Sequence, residues 1–271
     1  MIGLFAAEGP HISLQADILL HIGPIPITNS MVLGVFGYGL VVWMMVYTAR
    51  MIRAGRTNRF VTAVSWVFEM LYKTVMQVTG DRRLAHRLAP LAITIFFFVL
   101  TNYWLGIVPF VGPITYNDLP LFRGLAADLN VTFALAIISM VAAQMYAIKA
   151  HGLFGNAGRY LRNPFTDPAG AFEGVLELIA EFSRLVALSL RLFGNVFAGE
   201  VLIVVIGYMT SYVAPVALLP FYIMELFIGG IQAYVFFMLT TVFVSLGTAS
   251  HGHDHSPADT PQALRAAGSE T

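Results

Sequence analysis

Six charged side chains fall within one apolar stretch, FEGVLELIAEFSRLVALSLRLFGNVFAGEVLIVV, residues 172–205: Glu173, Glu177, Glu181, Arg184, Arg191 and Glu200. Charge inside a membrane-length apolar segment is costly and marks function by default. At 100° per residue, Glu173, Glu177, Glu181, Arg184, Leu188, Arg191 and Asn195 follow one another by three or four positions and form one continuous stripe. Glu200 is nine positions past Arg191, about half a turn away and roughly 13 Å further along the axis. A second apolar run carries Glu225 and Gln232 seven positions apart, nearly eclipsed on one face, with Gln232 about 10 Å deeper than Glu225. Two carboxylates held close together in such a setting exchange protons near neutral pH. An arginine does not lose its proton, so Arg191 is a fixed positive charge and not a carrier.

These charges need spans to hold them. The chain has 271 residues, 58% hydrophobic and only 11% charged, with a mean hydropathy of +0.75. A soluble domain carries about 25% charged residues, so this is an all-α polytopic membrane protein. A crossing takes about 20 apolar residues. Stretches near 31–49, 89–109, 130–148 and 216–248 meet that need, and 172–213 is about twice as long. No Pro and no Gly-Gly pair interrupts 171–206, so the long stretch reads as a strongly tilted helix and not as a hairpin. Residues 60–80 contain Glu69 and Lys73 at helical i,i+4 spacing and read as an amphipathic helix at the interface. That gives about five transmembrane helices plus one interfacial helix, with the last two long and tilted.

Basic residues set the orientation. Arg50, Arg53, Arg56 and Arg59 follow the first span, Lys73, Arg82, Arg83 and Arg87 precede the second, and Lys149, Arg159 and Arg162 follow the third. The loop 110–129 holds only Arg123 against Asp118 and Asp128, and the turn 207–220 has no charge. Five crossings then place the N-terminus outside and the C-terminus in the cytoplasm. Residues 1–30 form an external segment, 31–248 one transmembrane domain with 174–248 as the tilted pair, and 249–271 a disordered polar tail. In this frame Glu200 and Glu225 lie at one depth near the outer side, and Gln232 lies at the depth of Arg191. The formal net charge of zero gives no argument for nucleic acid, and the absence of cysteine excludes thiolate metal sites. The three tail histidines read as solvated, and no cofactor or metal is called for.

Plainer readings compete at several positions. Glu173, Glu177, Glu181 and Arg184 are also what a solvated helix end with ion pairs looks like, while Asn195 and Gln232 are also suited to bridging helices. Arg191 is flanked by apolar residues and too deep to snorkel comfortably.

The run LSLRLFGNVFAGE, 188–200, resembles the signature of subunit a of rotary F-type ATP synthases. TNSM at 28–31, TNYWLGIVP at 101–109, ADLNVTFALA at 127–136, LIAEFSR at 178–184 and IQAYVFFMLTTVFVSL at 231–246 are similar to the family as well. The resemblance implies that Arg191 faces the proton-carrying carboxylate of a ring of c subunits, with Asn195 beside it. It implies that Glu200, Glu225 and Gln232 line the outer half-channel and the region near the arginine, and that Glu177 belongs to the cytoplasmic one. The partners it implies are the c-ring, the peripheral stalk subunits b and b', the F1 catalytic head and lipid, in a bacterial inner membrane. The chain itself is then a non-catalytic component of the complex. Leu185 and Ala187 depart from the Pro and Ser frequent there, which removes a hydroxyl from the inner half-channel. Some relatives carry a histidine at one outer position, where this chain has two carboxylates. The runner-up is a secondary transporter or plain proton channel, which calls for broken helices around a small-molecule cavity. An intramembrane enzyme is the third reading, and the chain has no HExxH or GxSxG.

Overall fold

A computed structural model describes residues 18–22, 25–108, 115–116, 119–120, 123–160, 168–210 and 213–249. A hairpin of β1 (Ile18–Ile22) and β2 (Ile25–Thr28) leads directly into α1 (Asn29–Arg53). Then come α2 (Arg59–Thr79), α3 (Arg82–Ile107), the two-residue strands β3 (Thr115–Tyr116) and β4 (Leu119–Pro120), and a 3-10 turn at Leu125–Ala127. The chain continues through α4 (Leu129–Tyr160), α5 (Pro168–Thr210), the single turn α6 (Ala214–Ala217) and α7 (Leu219–Thr248). Five of these helices are long and apolar enough to cross a membrane, and α2 is not among them. The all-α expectation holds for the spans, and the two small hairpins are additions to it. The expected tail after Ser250, the external residues 1–17 and Asp118 lie outside the described residues.

Local chemistry sets the ends. Thr28 caps α1 by accepting from the Met31 amide at 3.4 Å. Asp81 caps α3 by accepting from the Arg83 amide at 2.9 Å, a site where a carboxylate also favours the helix dipole. Gly80 closes α2 with φ 65°, a left-handed turn that glycine takes without strain. Gly152, at φ 75° and ψ 166°, breaks α4 before its last turns. Helices α1 and α3 overrun the expected spans into the basic segments, so their charged ends stand beyond the apolar core. Arg50 and Arg53 lie in the last turn of α1, where cations suit the dipole.

Helix α5 runs unbroken for 43 residues, about 64 Å at 1.5 Å per residue. That exceeds a hydrocarbon core of about 30 Å, so a single crossing by α5 has to be oblique. Helix α7 is packed among α3, α4 and α2, while α5 lies along α4 and meets α7 over a shorter stretch. The core sits at α3 and α7, where Phe236 and Phe237 are fully buried and Phe96 meets Phe237 edge-on at 6.2 Å. Hydroxyls stitch the bundle: Ser189 on α5 to Thr132 on α4 at 3.1 Å, and Thr240 on α7 to Ser139 on α4 at 3.3 Å. Ser30 donates to Asp128 at 3.0 Å, tying the start of α1 to the cap of α4.

Helix α2 buries Val61, Val64, Leu71 and Val75 on one face. Its other face carries Glu69 and Lys73, paired at 2.8 Å and both exposed. The Lys73 hydrogen bond, then its charge, holds the Glu69 carboxyl below the usual carboxylate range.

Candidate functional site

One cluster is built where α5, α7, α3 and the loop before α4 converge. Glu200 on α5 accepts from the Gly124 amide at 3.2 Å, and its other oxygen pairs with the Arg123 Nε at 3.4 Å. Gly124 is needed there, because a Cβ would stand 2.8 Å from the Glu200 oxygen, and a Cβ at the facing Gly106 would stand 3.0 Å from the Gly124 backbone. Glu225 on α7 is only 4% exposed and accepts a 2.6 Å hydrogen bond from the Tyr103 hydroxyl on α3. Its carboxylate lies against Gly199, the residue before Glu200, in space that a Cβ at 199 would occupy. Trp104 donates to the Leu226 carbonyl at 3.0 Å and fixes the same two helices one step along. Glu200 and Glu225 thus take different partners.

About one turn before Glu200 on α5, Asn195 donates to Gln232 on α7 at 2.7 Å. Gln232 is 2% exposed, and its amide nitrogen has no partner among the described residues. Arg191 is exposed and forms no hydrogen bond or ion pair among the described residues. Its neighbours on the open face of α5 are small: Ala187, Gly194 and Ala198 are exposed beside it.

A second cluster surrounds a cavity of about 200 Å³ between α4, α5 and α7, lined by Glu177, Glu181, Arg184, Gln144 and Phe243 among others. Gln144 donates to the Glu181 carboxylate, with both oxygens at 2.7 Å. The Arg184 guanidinium sits 5.5 Å from the centre of the Phe243 ring, within cation–π range.

The single stripe expected on α5 is corrected here. It follows the border between the buried and open faces of the helix, and its members part company. Leu188 is buried, Glu177, Glu181 and Arg184 turn into the cavity, and Glu173 and Arg191 are exposed, with Glu173 outside the cavity lining. At 3.6 residues per turn, a row built from steps of three and four wavers by tens of degrees, enough to cross such a border.

Tyr103, Arg123 and Gln144 hold predicted site residues but were not expected to. Arg123 stood out as the only basic residue of its loop, yet the sequence does not show which carboxylate it reaches. Gln144 had a signal, a carboxamide well inside an apolar span. Tyr103 had none, because a Tyr-Trp pair at a span end reads equally well as an interfacial belt.

Comparison with known sequences gives the family. The sequence profile described as ATP synthase A chain matches residues 30–245. The chain belongs to the ATP synthase A chain family. It is similar to the proteins named ATP synthase subunit a of Enterococcus faecalis, 31% identical over 85% of this chain and 96% of that one, and of Acidothermus cellulolyticus, 31% identical over 85% and 79%. The Aliivibrio fischeri protein of the same name is also 31% identical, over 83% of this chain and 85% of its own length. The matched region of this A chain family member contains every site residue placed above, from Tyr103 to Gln232. With five helices suited to crossing, it is a multi-pass membrane protein.

Proposed function

We propose that this chain is the proton-translocating stator, subunit a, of a rotary F-type ATP synthase, and that it offers two half-channels that do not join. The observation that carries the reading is the position of Arg191. It stands exposed on α5 with no partner among the described residues, between an outer carboxylate cluster and an inner acidic cavity. A desolvated, unpaired arginine in a membrane is too costly to be incidental. An anion on a partner that slides past the open face of α5 balances it.

Protons arrive from outside at the partly exposed Glu200, pass to the buried Glu225, and neutralise a carboxylate on the c-ring. After the ring turns, the proton leaves toward the cytoplasm beside Glu177 and Glu181. Gln144 holds Glu181 at the cavity wall, and Glu173 stands beyond it. Asn195 and Gln232 bridge α5 and α7 one turn from Arg191 and fix its height. Arg191 favours the ionised ring carboxylate and repels a proton crossing directly between the half-channels. The membrane potential supplies roughly 2.3 kcal/mol per charge per 100 mV. The chain makes no ATP itself, and it works with the c-ring, the b and b' stalk subunits and the F1 head. The orientation is N-terminus outside and C-terminus in the cytoplasm, in a bacterial inner membrane. Residues 31–248 act as one membrane domain, with 174–248 as the pair that meets the ring.

The test is affinity purification of the tagged chain, followed by reconstitution. The expected result is recovery of an oligomeric two-helix proteolipid and the catalytic head, with ATP-driven acidification of vesicles in sodium-free buffer. Recovery of the chain alone, with passive or solute-linked flux, would support a channel or transporter.

A further inference from the structure

The proposed proton route leaves Tyr103 unused, although it makes the only hydrogen bond to Glu225 among the described residues. Both side chains are buried, at 2% and 4% exposure, so water does not substitute readily for that bond. Glycines at two points shape the contact. A Cβ at Gly229 would run into the Tyr103 ring, and a Cβ at Gly199 would run into the Glu225 carboxylate. The ring is therefore wedged on the α7 backbone, and the carboxylate is wedged on the α5 backbone beside Glu200. Trp104, next in sequence, is tied to α7 through the Leu226 carbonyl, which leaves α3 little freedom to slide along α7.

We propose that Tyr103 is a positioning residue of the outer half-channel. Its hydroxyl occupies Oε1 of Glu225 and leaves Oε2, which carries no hydrogen bond among the described residues, as the oxygen that takes the proton from the Glu200 side. The phenol donates a hydrogen bond and keeps its proton throughout. The transferred proton leaves a Glu200 oxygen, binds Oε2 of Glu225, and departs from Oε2 toward the ring. Tyr103 thus sets where the carboxyl points and how readily its ionised form persists, because a hydrogen bond to the charged form favours that form. This inference rests on the outer-route reading above.

The experiment measures ATP synthesis in proteoliposomes of the whole complex against the pH of the outer-side compartment, at constant potential. Tyr103→Phe keeps the ring and its packing on Gly229 and removes only the donor. The midpoint of the profile is expected to move alkaline by about one pH unit, a tenfold change in half-maximal proton concentration, with the maximal rate within about twofold of wild type. 3-Fluorotyrosine at position 103, a stronger donor of nearly the same size, is expected to move the midpoint the other way. If the Phe variant does not assemble, the fluorotyrosine profile decides the matter alone. An unmoved midpoint, or a curve merely scaled down, overturns the role of Tyr103. Glu225→Gln run alongside separates the two levels. If it keeps the wild-type profile, the outer route itself is wrong, whereas a changed Glu225→Gln profile with unmoved Tyr103 variants sinks only the positioning role.

Discussion

Gly199→Ala adds one methyl group at the point where α5 meets α7. The new Cβ overlaps the Glu225 carboxylate, with Oε1 and Cδ inside contact range and Oε2 at 2.7 Å. Glu225 is 4% exposed and held by Tyr103, so it cannot swing into open water. Two responses remain. If the carboxylate moves, it gives up a hydrogen bond to a charged group, a loss of about 1.5–3 kcal/mol. If the helices part, overpacking costs about 1–3 kcal/mol. Alanine returns up to about 1 kcal/mol through helix propensity, so the net destabilisation is about 0–2 kcal/mol and the complex assembles. Displacement of a proton-transferring group by about an ångström costs on the order of 100-fold in rate. We therefore expect proton-driven ATP synthesis to fall roughly 10- to 100-fold, measured by luciferase after an acid–base jump, while ATP hydrolysis by the released head is unchanged. Gly39→Ala on α1, where an added Cβ meets nothing within 4 Å, is the matched control and should be silent. Synthesis by Gly199→Ala at the wild-type rate would refute the packed outer site.

Three further predictions follow from the same geometry and orientation. Replacing Glu200 or Glu225 by Gln should each slow proton-driven synthesis without loss of the head, and the double change should cost clearly less than the sum, since neighbouring groups couple; full additivity in free energy would show that they act separately. The Glu69–Lys73 pair has a lowered carboxyl value, so whatever stability it gives is present above the ordinary value of 4.5 and disappears as pH falls through the folded-state value. Because both side chains are exposed, Lys73→Met should leave the Tm of the detergent-solubilised complex unchanged at pH 7, and a clear drop there would show that α2 docks on something through this pair. A cysteine replacing Asp118 should react with an impermeant maleimide from outside, and one replacing Arg83 only from the cytoplasm; the reverse pattern would invert the orientation and exchange the two half-channels.

Much of the site was legible because membrane charge is scarce. With few polar residues in the spans, heptad spacing alone paired Glu225 with Gln232, and a count of nine put Glu200 on the other side of α5 from Arg191. The absence of Pro and of paired glycines over 171–206 predicted that the stretch 172–213 is one unbroken helix, and the structure has one over Pro168–Thr210. What escaped were contacts between distant segments. Arg123 reaches Glu200 across 77 positions, and Tyr103 reaches Glu225 across 122. Periodicity reports which face a residue occupies, not which neighbour closes on it. The stripe on α5 was over-read for a related reason: spacing shows that Glu173 and Arg191 share a face, but only the packing of α4 and α7 decides where that face ends. The hairpin at Ile18–Thr28 escaped because the alternation ILLHIGPIPIT is short and apolar on both faces.

The central claim is that Arg191 separates the two half-channels as a fixed charge, and passive proton flux tests it most directly. Vesicles carrying the membrane sector, with the head stripped off, are placed under an imposed potential and proton uptake is followed with a pH-sensitive dye. Arg191→Ala removes the barrier and should leak, with coupled synthesis abolished in the intact complex. Arg191→Lys keeps a cation and should leak less, yet fail to support rotation, because an ammonium lacks the planar fork of guanidinium and deprotonates when desolvated. Arg191→Ala vesicles as tight as Arg191→Lys vesicles would contradict the account and reduce Arg191 to a docking contact for the ring.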